Sequence, residues 1–103
     1  MNNKLPNSKK NKIPVKQLYT VYDRVAGRHF NPFPEDNDAA AMRSFRMMAN
    51  NVESMISQNP DDFDLYHVGD FDPYDAQLDG VDIIRLVINA AVLIHKKSDH
   101  AYS

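Results

Sequence analysis

The apolar positions of this chain change their spacing along its length, from alternation to three- and four-residue steps and back, which predicts strands flanking a helix. Gln17-Leu18-Tyr19-Thr20-Val21-Tyr22-Asp23 is dense in aromatic and β-branched side chains that suit a pleated surface. Leu18, Thr20 and Tyr22 would share one face and Tyr19 and Val21 the other, so both faces carry apolar surface and the segment reads as an inner strand. Asp23 to Gly27 reads as a turn in which Gly27 can take positive φ, with the chain returning through Arg28-His29-Phe30. Asn31-Pro32-Phe33-Pro34 is expected to be extended loop, because each proline fixes its own φ and restricts the residue before it.

Glu35, Asp36 and Asp38 then supply capping side chains and negative charge where a helix dipole favours it. Ala41, Phe45, Met48, Val52, Met55 and Ile56 form one apolar stripe, and Asn59-Pro60 ends it, which predicts a single helix of about twenty residues. The stripe and its methionines, Met42, Met47, Met48 and Met55, can be read as core packing or as an adaptable docking face. Beyond Asp61-Asp62 a second extended region runs from Phe63 to Phe71, with Phe63, Leu65 and His67 alternating with Asp64, Tyr66 and Val68. Asp72-Pro73-Tyr74-Asp75 is a turn, and the chain comes back through Gln77 to Ile84. Seven of the fourteen residues from Val81 to Ile94 are Val or Ile, which favours strand to about residue 88, followed by a short turn or helix from Asn89-Ala90-Ala91.

These elements predict an α+β fold: a small mixed sheet of about four strands with one main helix packed on one face, in the order β-β-α-β-β plus a short C-terminal element. If the first strand and the strand after the helix were parallel neighbours, their crossover would be right-handed. The expected organisation is a flexible basic arm at 1–14, a single α+β domain at 15–95 and a frayed tail at 96–103. A length of 103 residues fits one domain with a modest core.

Charge changes the picture more than composition does. The net charge of −2 conceals a basic segment over residues 1–16, with five lysines and no acid, ahead of a body with seven basic and fourteen acidic residues. The lysines are not followed by an apolar stretch, which argues against an export signal. The apolar run at 90–94 is far too short to span a bilayer, so no membrane partner is expected. Action in the cytoplasm of the cell that makes the protein is the resulting expectation. Without cysteine there is no disulfide framework, thiolate metal site or cysteine nucleophile.

Enzymatic chemistry is not expected. Residues 61–82 hold eight aspartates with no lysine or arginine among them, which reads as a hard-cation site or as solvated turn aspartates. The calcium-loop template starts at Asp70 and Asp72 but then meets Tyr74, Asp75 and Val81 at its fifth, sixth and twelfth positions and fails. His29, His67, His95 and His100 lack paired ligand spacing, and Gly27, Gly69 and Gly80 stand too far apart for a phosphate loop. No catalytic residue, metal site or cofactor is therefore assigned.

Nucleic acid suits the residues better, since single strands are held by basic groups along the backbone and by aromatic faces that stack bases. Lys9, Lys10, Lys12 and Lys16 lead into Tyr19 and Tyr22, with Arg24, Arg28 and Phe30 on or near the adjoining turn, and these nine residues form the expected contact surface for single-stranded DNA. The other reading of the same residues is that Tyr19 and Tyr22 are core aromatics and the lysines solubilise the arm. The acidic body opposes phosphate binding unless its charge is segregated.

Several segments, taken in order, carry a resemblance: Tyr19-Thr20-Val21-Tyr22-Asp23, Pro32-Phe33-Pro34 leading into a helix with Ala41, Arg43 and Phe45, then Asn59-Pro60, Asp64-Leu65-Tyr66 and Val68-Gly69-Asp70-Phe71-Asp72. With a terminal apolar stretch at 91–94, the chain resembles the small nonstructural protein family of gokushoviruses, the Microviridae group of single-stranded DNA bacteriophages, over roughly residues 18–94. The resemblance implies a non-virion protein of the infected bacterium that assists single-stranded genome synthesis or packaging, often described as DNA binding. It implies no catalytic residues, and the lysine arm lies outside the matched region. A second function remains open: an oligomeric module engaging phage replication or capsid proteins or host factors, without direct DNA binding.

Overall fold

A computed structural model describes residues 15–94. The arm at 1–14, with Lys9, Lys10 and Lys12, and the tail at 96–103 lie outside the described residues. Five strands form one antiparallel sheet: β1 (Lys16–Asp23), β2 (Arg28–His29), β3 (Phe33–Glu35), β4 (Phe63–Phe71) and β5 (Leu78–Asn89). The path across it is β2-β1-β4-β5, and β3 pairs with β1 as well. Because β4 pairs with β1 along its whole length, β2 and β3 occupy successive parts of its other edge. One main helix, α1 (Asp38–Ala49), and a single turn of helix, α2 (Met55–Gln58), lie between β3 and β4. A 3-10 turn, Ala90–Leu93, follows β5.

The first strand has the predicted alternation. Tyr19 and Val21 are buried on the helix side, where Phe63 and Leu65 of β4 join Ala41, Phe45 and Ala49 of α1, Ile56 of α2 and Ala90 and Leu93 of the last turn. This is the core, and each of its larger side chains contributes about 1.5–3 kcal/mol by leaving water. The turn after β1 is held by the Asp23 carboxylate, which accepts from the backbone N–H of Val25 at 3.0 Å and of Ala26 at 3.1 Å. Gly27 takes φ of 70° there, as its lack of a Cβ allows.

Three features differ from the expectations. The proline segment is not only loop, because Phe33–Glu35 adds a fifth strand to the sheet with Pro34 opposite Leu18. An extended backbone was already imposed by the prolines, and β1 had an unpaired edge to receive it. β1 and β4 are antiparallel, not parallel, neighbours. The chain reverses at the Asp23–Gly27 turn, so β2 and β3 run against β1, and after the helices β4 enters the sheet in the same direction as they do.

The helix also stops early. Asn37 caps its start, accepting from the Ala40 N–H at 2.9 Å, and it ends at Ala49 instead of running to Ile56. Side chains after Ala49 compete for the backbone: Asn50 Nδ2 donates to Arg46 O at 2.8 Å and Ser54 Oγ donates to Met48 O at 2.8 Å. Asn51 Oδ1 accepts from the Glu53 N–H at 3.0 Å, and Ser54 then caps α2. The stripe is consequently divided, with Ala41, Phe45 and Ile56 buried while Val52 and Met55 are exposed. No described helix is long and apolar enough to cross a membrane.

Candidate nucleic-acid interface

The helix covers one face of the sheet, and the opposite face carries a group of rings. Strand alternation turns Thr20 and Tyr22 away from the buried Tyr19 and Val21, and the pairing register sets Tyr22 opposite His29 and Thr20 opposite Tyr66. Three rings meet there: Tyr22 and His29 at 4.6 Å between centroids, His29 and Tyr66 at 5.8 Å, and Tyr22 and Tyr66 at 6.2 Å and nearly perpendicular. The last two pairs have the edge-to-face geometry favoured by aromatic quadrupoles. Thr20 Oγ1 and His29 Nδ1 are 2.6 Å apart, which fixes the imidazole relative to the sheet. Leu86 of β5 stands opposite Tyr66 and extends the apolar surface of this face.

On the other side of the same strand end, an open cleft of about 580 Å³ is lined by Asp23, Arg28, His29, Phe30 and Asn31. Arg28 pairs with Asp23, the buried end of the helix-side row, so its side chain belongs to this cleft rather than to the ring group. Phe30 leans on Phe63 with centroids 6.0 Å apart. His29 lines the cleft and also contacts both tyrosines, so it is the residue common to the two surfaces.

Of the nine residues expected to contact DNA, Lys9, Lys10 and Lys12 lie outside the described residues, and the fold separates the other six. Tyr19 is a correction: it is 0% exposed, and its ring offers no face to a base. Its hydroxyl donates to Asp38 Oδ1 at 2.6 Å, with Gln17 Oε1 2.8 Å away. Arg85 closes the same carboxylate in a two-pronged contact, Nη1 to Oδ2 at 2.9 Å and Nη2 to Oδ1 at 3.0 Å. Burial and the Asp38 hydrogen bond push the Tyr19 hydroxyl well above its ordinary pKa, while the Arg85 hydrogen bonds, then that of Tyr19, hold Asp38 below the usual carboxylate range. The Asp38 hydrogen bond likewise holds the Arg85 proton more firmly. This network joins the start of α1 to β1 and β5.

Two of the expected cations are engaged. Lys16 pairs with Asp36 at the far end of β1. Arg24 lies with Nε 3.0 Å from Asp64 Oδ2 and donates from Nη2 to Asp61 O at 2.6 Å. Tyr22, Arg28 and Phe30 remain around the β1–β2 end. His29 was noted beside the turn but not assigned a contact, and Tyr66 was assigned none. Alternation along β4 put Tyr66 on the face away from Phe63 and Leu65, but only the register shows it beside Tyr22. Among the described residues, no group of three or more His, Cys, Asp or Glu side chains could hold a metal ion.

The family model described as Phage ORF5 protein matches residues 16–93, which includes every described strand and both described α-helices. The chain belongs to the phage ORF5 protein family. It is thereby assigned to bacteriophage proteins, and the ring group and the cleft both lie within the region the family shares. No curated protein and no solved structure matches the chain significantly.

Proposed function

We propose that this phage ORF5 family member is a non-virion, non-enzymatic protein that binds single-stranded DNA in the cytoplasm of the infected bacterium and assists genome synthesis or packaging, as the gokushovirus resemblance implies. The observation that carries the reading is the Tyr22–His29–Tyr66 group on the face of the sheet opposite the helix. Ring groups on an open sheet suit the stacking of unpaired bases, whose π-faces are available only in single strands. Arg28 lies in the neighbouring cleft, which shares His29 with the ring group, and supplies a cation at the same end of the sheet. The lysines at 4, 9, 10 and 12 supply the remaining positive charge that an acidic body needs to hold phosphate.

Fluorescence titration of a labelled single-stranded oligonucleotide at two salt concentrations tests this. Tyr66→Ala and Tyr22→Ala are each expected to weaken binding by about 1–3 kcal/mol, and removal of residues 1–14 is expected to reduce its salt dependence. The proposal is lost if the full chain fails to bind at low salt, or binds equally well without both tyrosines. A second reading, a protein-interaction module engaging phage replication or capsid proteins, is favoured by the aliphatic side chains exposed along β5.

A further inference from the structure

The ring group and the lysine-rich segment belong to opposite ends of β1. Tyr22, with His29 and Tyr66 beside it, stands near the end of the strand, whereas Lys16 begins it opposite Phe71. The lysines at 4, 9, 10 and 12 precede Lys16 in the chain and are tethered at that end. Six residues of strand carry the chain from Lys16 to Tyr22, a span of about 20 Å at roughly 3.3 Å per residue.

Pairing keeps most acids off the face between these two ends. Alternation puts Lys16, Leu18, Thr20 and Tyr22 on the side away from the helix, and residues opposed across strands share a face. Tyr66, Gly69 and Phe71 of β4 and Leu86, Gly80 and Leu78 of β5 therefore lie on that side too. Glu35 and Asp70 both oppose Gln17, and Asp79 opposes Asp70, which sends all three carboxylates to the helix side. Their contacts agree: Ser44 Oγ of α1 donates to Glu35 Oε2 at 2.6 Å, and His67 Nε2 is 3.2 Å from Asp70 Oδ1. Asp64, opposite Tyr22, is the one acid among the strand pairs of the open face, and its side chain is 9% exposed and held by Arg24 and Asn89. Asp82 lies two strands from β1, in the part of β5 without a partner in β4.

We infer that a single DNA strand lies along β1 on this face, stacked at Tyr22, His29 and Tyr66 at one end and on Phe71 beside Leu78 at the other, where the lysines before β1 meet its phosphates. Phe71 is half-buried, and Leu78 directly opposite it is 66% exposed. One strand that touches both the ring group and the tethered lysines follows this line, because a route over the helix side meets its carboxylates. At the roughly 3.4 Å per nucleotide of a stacked strand the two ends are about six nucleotides apart, and a more extended strand bridges them with fewer. The inference rests on the nucleic-acid reading and adds to it a second stacking position, a course and a minimum length.

Titration of the full chain with oligothymidylates of two lengths tests it, a dinucleotide too short to join the ends and a strand of about twelve nucleotides that spans them. Phe71→Leu keeps an apolar side chain and removes the ring; it should weaken the long strand about tenfold and the dinucleotide much less. Leu78→Asp, an exposed change, should weaken the long strand as well, and circular dichroism should show both variants folded. Met47→Asp, the same change of charge on the exposed side of α1, should leave the affinity unchanged. Long-strand binding that needs Tyr66 but is indifferent to Phe71→Leu and Leu78→Asp would overturn this course and leave the ring site standing. Equal losses for both lengths in Phe71→Leu, or equal losses from Met47→Asp and Leu78→Asp, would overturn it too. A parent chain that binds neither length would remove the nucleic-acid reading and this inference together.

Discussion

Replacing Asp38 by alanine should destabilise the protein by about 1.5–3 kcal/mol, with the loss divided among three groups. The fully buried Tyr19 hydroxyl would exchange a charged acceptor for the Gln17 amide oxygen 2.8 Å away. A hydrogen bond to a charged group contributes about 1.5–3 kcal/mol against 0.5–1.5 for a neutral one, so this exchange costs about 1 kcal/mol. The Arg85 pair contributes roughly a further 0.2–1 kcal/mol, because side chains as exposed as these are screened by solvent. Loss of an anion from the first turn of α1 removes about 0.3–1 kcal/mol.

Urea unfolding followed by circular dichroism reads the sum as a midpoint lowered by about 1–2 M with an unchanged slope. A double-mutant cycle isolates the buried contact. Tyr19→Phe alone should cost about 1.5–3 kcal/mol, and Asp38→Ala should cost about 1 kcal/mol less in that background than in the parent. Equal costs in the two backgrounds would refute the coupling. A cost of Asp38→Ala below about 0.5 kcal/mol would show the whole network to be an ordinary surface pair.

Two further perturbations follow from the geometry. Gly69→Ala would bring a Cβ within 2.6 Å of the Asp79 carbonyl oxygen, a backbone atom that can move only with β5, so a lower Tm and faster amide exchange in Leu78–Gly80 are expected in hydrogen-exchange measurements. The pH dependence has two limbs of known sign. Since Asp38 titrates below its unfolded value, its contribution is present above the ordinary carboxylate range near pH 4 and is lost as pH falls through the lower folded value. Since Tyr19 titrates above its unfolded value, its contribution is complete below about pH 10 and is lost on further alkalinisation. Stability measured across pH should lose the acid limb in part in Asp38→Ala and the alkaline limb in part in Tyr19→Phe; unchanged limbs would contradict these assignments.

Local pattern sufficed wherever one physical requirement dominated. The alternation of Tyr19 and Val21 with Thr20 and Tyr22, the cap-rich start of the helix, the turn at Gly27 and the end of β5 at Asn89 were all legible, because period, capping and backbone restriction act within a few residues. The helix end was misread because apolar spacing continues through Val52 and Met55, whereas Asn50, Asn51 and Ser54 satisfy the backbone outside the helix. A hydrophobic stripe reports which residues could share a face; it does not report which hydrogen bonds terminate it.

By itself the chain determined an α+β body, the two faces of its first strand and the charge opposition between residues 1–16 and the rest. Tertiary structure alone decided which aromatics lie together and which are accessible. Tyr19 and Tyr22 are three residues apart on one strand, yet alternation sends one into the core beneath the helix and the other to the open face, where residues 29 and 66 meet it through strand pairing. It also decided that β2 and β3 shield one edge while β5 is left with its aliphatic bulge exposed. Register and edge position depend on contacts between residues far apart in the chain, so no local preference along the chain can specify them.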